Sequence, residues 1–339
     1  MTQEIGRQSM QFQVAPHIIS AATIVSKKEK EGPIGMCFER YDEDDMFGMD
    51  TWEAAESEMQ KRVCKKVLDN AGITPEDVRY LFGGDLLRQG IATSLGVEQL
   101  HIPLFGLYGA CSTSGEALAL SAMTVAGGYG SNVLAVTSSH FASAEKEFRF
   151  PLLYANQRPL SSQWTVTGSG AFIIGTKESK VKIPEITIGK IVDYGLKEAQ
   201  NMGACMAPAA VDTIKCHLSD LERQASYYDK IITGDLGYIG SEILIEFLQA
   251  EAIDISGIHL DCGKLIYDPE KQKTHAGGSG CGCAATTLGA YVLPKLESGE
   301  WKRVLFVPTG ALQSTVSFNE GQSIPAIAHA IVLEHHSID

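Results

Sequence analysis

"LFGLYGACSTSGEALALSAM", from Leu104 to Met123, poses the first question. An apolar run reaches a turn of small residues, Gly109-Ala110-Cys111-Ser112, and an Ala/Leu-rich helical pattern follows. Strand, tight corner and buried helix, in that order, make one unit of an α/β fold. The thiol at the corner has two readings. Unpaired N–H groups at a helix N-terminus favour the thiolate, which makes Cys111 a candidate nucleophile. A cysteine also serves as a small apolar filler in a close-packed corner, and on spacing alone that is its commoner use.

The same plan extends outward from this corner. "HIISAATIVS" from His17 reads as a strand and Thr51 to Asn70 as a helix. "VRYLFGGDL", "NVLAVTSS" and "GSGAFIIGT" follow as further strands. Past Lys180 the order recurs: strand "IPEITIGKIVDYG", helix "VDTIKCHLSDLERQAS", strand and turn "YDKIITGDLG", helix "GSEILIEFLQAEAI" and strand "RVLFVPTGA". The chain therefore divides into two similar halves, 1–180 and 181–339, meeting in the polar "TKESKVKIP". Alternation of strands and helices predicts parallel βαβ units. Strands apolar on both faces, such as "VLAVTS" and "VLFVP", predict a sheet covered by helices on each side. The mixed segment of about 141–167 is long enough to shape a ligand pocket.

Composition excludes several functions. With 28 basic against 41 acidic residues in 339, the net charge is −13. Such a chain lacks the basic face that nucleic-acid phosphates require. Met1 to Gln13 is polar, so no secretory leader is expected, and the eight cysteines read as reduced thiols. Cys281-Gly282-Cys283 is too closely spaced for a zinc pair. No apolar run reaches the roughly 18 residues of a membrane span.

Three strand-end turns hold candidate chemistry: Cys111, Asp235 in "ITGDLGYIG", and His275 in "THAGGSGCGCAA". Ligands of α/β sheets gather at the carboxyl ends of strands. A histidine near the thiol would complete a nucleophile–base pair. Read singly, Asp235 is equally a helix cap and His275 more often an exposed turn residue.

At these turns the chain resembles the thiolase and β-ketoacyl-ACP synthase superfamily. The resemblance implies a duplicated five-layer αβαβα fold with Cys111 at the family's cysteine elbow. His275 matches the thiolase Gly-His-x-x-Gly-x-Ser-Gly histidine in part, with Thr274 in place of the glycine. Asp235 stands where ketoacyl synthase III enzymes carry a catalytic histidine and thiolases an asparagine. No cysteine precedes the last glycine turn in "LFVPTGALQS". The catalytic set is therefore incomplete, and a carboxylate beside Cys111 would disfavour its thiolate.

Longer stretches resemble a family of sporulation proteins within that superfamily. They include "HFASAEKEFRFPLLYANQRPLSSQWTVTGSGAFI", "VDYGLKEAQNMGACMAPAAVDTI" and "AGGSGCGCAATTLGAYVLPKLESGEWKRVLF". The resemblance implies binding of dipicolinic acid (pyridine-2,6-dicarboxylate), with calcium as its companion, for uptake into the spore with membrane partners. It implies peripheral association with the forespore inner membrane and no cofactor of the protein's own. Acyl transfer by Cys111 with His275 as base is the alternative. The ligand site is expected among Cys111, Ser112, Arg149, Arg158, Trp164, Asp193, Asn201, Met202, Asp235, Asp261 and His275. Arg149 and Arg158 would fork carboxylates. Phe150, Tyr154 and Trp164 would stack on the ring, although each alone is more often core. Asp193, Asp235 and Asp261 would meet calcium, although each alone is more often a turn or cap residue. Proteins of this fold pair through an edge strand of the first half, and "NVLAVTSSHF" is the expected homodimer edge.

Overall fold

The computed structural model describes residues 3–148 and 157–338. Arg149, Phe150 and Tyr154 lie outside the described residues.

Among the described residues, five strands form the central sheet of the first half: β1 (His17–Ser26), β2 (Tyr80–Gly84), β3 (Leu104–Gly106), β4 (Asn132–Ser139) and β5 (Gly168–Gly175). Five belong to the second: β6 (Glu185–Thr187), β7 (Lys230–Thr233), β8 (His259–Asp261), β9 (Arg303–Val307) and β10 (Ala330–His335). The first half runs β3-β2-β4-β5-β1 across its sheet. The second runs β8-β7-β9-β10-β6. The two orders are the same, and so are the directions. In each half three strands are parallel, and the last two join antiparallel. The expectation of parallel units holds for those three strands and fails for the outer two. An apolar strand covered on both faces looks alike in either direction, so the sequence does not separate the cases.

Side-chain alternation sets the layers. On β4, Val133 and Ala135 point to one core while Leu134 and Val136 point to another. On β9, Val304 and Phe306 share the first of these cores, and Leu305 and Val307 turn to a third. This is the two-residue period of a strand buried on both faces. The outer face of the first half is covered by α1 (Trp52–Ala71) and α2 (Ile91–Val97). α1 begins where Thr51 accepts the Ala54 N–H at 3.2 Å and stops at Gly72, whose φ is 67°. Ala55, Met59, Val63 and Val67 form its buried stripe. Between the sheets lie α3 (Thr113–Ala126) and α7 (Cys281–Thr287). α4 (Phe141–Phe148) packs against α1 and the Trp164–Thr165 strand, with Ala144 beside Cys111 and Cys281. The far face is closed by α5 (Met202–Asp220) and α6 (Gly237–Ala250). α7 is wedged tightly: a Cβ on Gly170 would lie 2.8 Å from Ala285, and one on Gly234 would lie 3.4 Å from Ala284.

Val181–Lys182 pairs with both β10 and β1 and so ties the half-sheets together. Ser9–Gln11, from the N-terminus, pairs with β6 of the second half. The expected dimer edge is corrected. β4 lies between β2 and β5, inside the sheet, whereas β3 is the free edge. All eight cysteines are unpaired thiols. No helix among the described residues is long and apolar enough to cross a membrane.

Candidate functional site

The corner after β3 brings Cys111 to the start of α3. Ala110, one residue earlier, has φ 51°. A non-glycine residue in the left-handed region marks a bent corner held by its surroundings. Ser112 and Thr113 hold it. The Ser112 hydroxyl donates to the Gly109 carbonyl at 2.6 Å, and the Thr113 hydroxyl to the Ala110 carbonyl at 2.6 Å. Ser112 is thus a corner brace, buried and committed to its own turn.

Asp235, past the end of β7, is the hub of the site. Its Oδ2 accepts from the Ser279 hydroxyl (3.1 Å) and the Gly280 N–H (2.8 Å). Its Oδ1 accepts from the Thr309 hydroxyl at 2.8 Å. Cys111 Sγ lies 3.8 Å from Ser279 Oγ and also interacts with the Asp235 carboxyl. Burial, followed by the Asp235 charge, pushes the thiol well above its ordinary pKa. Burial also raises Asp235, while its hydrogen-bond donors pull the other way. The pull of a helix N-terminus on the thiol is outweighed here by desolvation and a neighbouring carboxyl.

Gln163, from the inserted segment, clamps two turns together. Its Nε2 donates to the Asp235 carbonyl (2.6 Å) and the Gly278 carbonyl (2.8 Å). Asp261 braces the Asp235 turn from behind. It accepts from Thr233 Oγ1 (2.7 Å) and the N–H groups of Leu236 (2.8 Å), Gly237 (2.9 Å) and Lys264 (3.2 Å). Burial pushes Asp261 up to about 7.

A cavity of about 40 Å³ opens beside the thiol. Its lining includes Leu86, Cys111, Glu145, Phe148, Met202 and Ser279. His275 is not among the residues that line that cavity, and neither is Asp235, whose carboxyl meets Cys111 directly. With φ 54°, His275 places Nδ1 2.9 Å from the Pro159 carbonyl. Arg158 is not an idle fork. Its guanidinium donates to Glu145 Oε1 at 3.1 Å and to the Gln163 carbonyl, with a side chain only 6% exposed. Trp164 stacks on Phe141 at 3.8 Å between centroids, under the ammonium of Lys28. Its faces are therefore already engaged by protein groups. Asn201 caps α5 through the Ala204 N–H at 3.4 Å. Asp193 sits in an exposed loop and accepts from the Ser323 hydroxyl (2.5 Å) and the Gly195 N–H (2.8 Å). Neither Asn201 nor Asp193 lines the cavity. No group of three or more His, Cys, Asp or Glu among the described residues is placed to hold a metal ion. Asp235 and Asp261 are occupied by internal donors, and Asp193 sits in its own loop turn.

Ser279, Thr309 and Gln163 are the contributors that the sequence reading passed over. Ser279 and Thr309 had a signal, since each follows a strand or glycine turn next to a suspected one. Gln163 had none, because its role arises only when two distant turns meet.

The described fold has solved counterparts. The structure of 3-oxoacyl-[acyl-carrier-protein] synthase III from Aquifex aeolicus VF5 matches with a TM-score of 0.57 at 13% identity, over 94% of this chain and 100% of that one. Cerulenin-bound OleA of Xanthomonas campestris matches with a TM-score of 0.59 at 14% identity, over 95% and 98%. At that identity the likeness establishes the fold alone: a thiolase-like duplicated α/β architecture. Sequence reaches further. Residues 6–334 match the family of Stage V sporulation protein AD (SpoVAD). Stage V sporulation protein AD of Bacillus subtilis (strain 168) is 40% identical over 329 residues, 97% of each chain. The chain belongs to the SpoVAD family. In this SpoVAD-family protein, a condensing-enzyme fold carries Asp235, tied to Ser279, Gly280 and Thr309, against the elbow thiol.

Proposed function

We propose that this SpoVAD-family protein binds dipicolinic acid for its uptake into the developing spore and performs no condensation at Cys111. One observation carries the second half of that reading: the thiol faces a buried carboxyl in place of a base. A condensing cysteine needs a partner that takes its proton and donors that receive an oxyanion. Burial and then Asp235 raise the thiol's pKa, and a carboxylate there would repel an oxyanion. No histidine is among the described residues lining the cavity. The dipicolinate ligand is supported by family membership. Calcium arrives, in this reading, held by the ligand's own carboxylates. The protein acts as a homodimer, peripherally attached to the spore inner membrane, with the other SpoVA membrane proteins as partners.

Isothermal titration calorimetry with dipicolinate tests the ligand. The reading predicts saturable binding in the micromolar to hundreds-of-micromolar range, because a small dianion offers few atoms. It predicts equal stoichiometry with and without calcium. Absence of saturable heat under both conditions would refute it.

A further inference from the structure

The cavity beside Cys111 is about 40 Å³, room for a few water molecules and far below the roughly 300 Å³ of ordinary small-ligand pockets. An aromatic ring with two carboxylates cannot fit there. A second hollow of about 280 Å³ adjoins it. Phe148 and Gln313 line both, so they form the shared wall. The outer hollow approaches the size of ordinary small-ligand pockets, about 300 Å³ and upward.

Its lining suits an anion. Arg88, Gln89, Gln313, Ser314 and Thr315 bring N–H and O–H groups to it, while the Tyr108 hydroxyl is already donated to the Leu86 carbonyl at 3.1 Å. Among the described lining residues Arg88 is the one cation and Glu147 the one carboxylate. Their contact is close: Arg88 Nε lies 2.5 Å from Glu147 Oε1. A further N–H of Arg88 donates to Thr315 Oγ1 at 3.0 Å. Yet the Arg88 side chain is 62% exposed and Glu147 only 21%. In a chain of net charge −13, an exposed guanidinium at the mouth of a hollow is where a dianion would first be held.

From this we infer that Arg88 is the outer carboxylate clamp of the ligand site. One carboxylate of a planar aromatic dicarboxylate takes the place of Glu147 on the guanidinium. The ring lies in the outer hollow by Tyr108 and Phe148, and the second carboxylate faces Gln313 and the passage toward Cys111. Glu147 is then an internal competitor that occupies the clamp while the site is empty. The inference rests on the dipicolinate reading above and adds where the ligand sits and what holds it.

Calorimetric titration of dipicolinate into wild type, Arg88→Gln and Glu147→Gln separates the two. Charged hydrogen bonds of this kind set the expected loss in Arg88→Gln at about 10- to 100-fold. Glu147→Gln should bind about two- to fivefold tighter, as expected when an exposed competing ion pair is removed. Wild-type binding should weaken with added salt. Arg88 is exposed and Glu147 half-buried, and unchanged circular dichroism confirms that both variants fold. If wild type binds and Arg88→Gln binds equally well, or if Glu147→Gln binds more weakly, the assignment of Arg88 is overturned and the binding reading stands. If wild type itself shows no saturable binding, both fall.

Discussion

Glu56 places a carboxyl on the buried face of α1, where no solvent reaches it. It accepts from the hydroxyls of Ser138 (2.8 Å) and Ser143 (2.7 Å). Asp85 is equally buried and accepts from the Thr93 hydroxyl at 2.6 Å and the N–H groups of Thr93 and Leu87, each at 2.8 Å. Gln60 joins the two sides, donating to Thr93 Oγ1 at 2.9 Å and Ser138 Oγ at 2.7 Å. Burial, and then the Asp85 charge, push Glu56 up to about 8. The folded protein therefore keeps a proton that the unfolded chain releases near 4.5. The stability tied to that proton is complete below about 4.5 and is lost as pH rises toward about 8. The loss is on the order of a few kcal/mol. Glu56→Gln keeps the shape without the titration. Its melting temperature should fall less than that of wild type between these limits, and equal slopes in thermal scans across pH would contradict this. Cys111 and Asp235 were legible in the sequence because each stands at a strand-end turn. Glu56 was not, because nothing local separates a buried helix carboxyl from a solvated one. The partner of His275 was not legible, because the Pro159 carbonyl it meets lies far along the chain.

β3 is the least protected element of the sheet. It spans three residues, ends the first half-sheet, and leaves Leu104 at 39% and Phe105 at 51% exposure. Beside it, α2 adds Leu95 at 56%. An apolar edge with unpaired backbone groups invites a second strand. A second copy of the chain pairing here, about a twofold axis, satisfies both the edge and the patch. Phe105→Glu would place two buried charges at that axis, so sedimentation should show wild-type dimers and variant monomers at tens of micromolar, with unchanged circular dichroism. A monomeric wild type would contradict the pairing. Strand positions were largely legible, since the β4 and β9 runs are apolar throughout. Which strand is the edge was not, because edge status depends on neighbours far along the chain. The start of α5 was also hidden: Pro208 lies inside the helix, and a proline ordinarily reads as a break.

Across the whole molecule, the repeated strand order shows one plan used twice, and the site lies where the two copies meet. Cys111 and its corner come from the first half, while Asp235, Ser279 and Thr309 come from the second. The duplication was legible from the recurring strand–helix sequence, and the resemblance supplied the five layers. The space left between the halves was not legible, because it is set by contacts such as Gly170 on Ala285 and Gly234 on Ala284. The central claim is that this junction holds a ligand and leaves the thiol chemically silent. Intact-mass spectrometry of the wild-type protein after incubation with acetyl-CoA tests that most directly. The account predicts an unmodified chain. An adduct of one acetyl group that disappears in Cys111→Ala would contradict it.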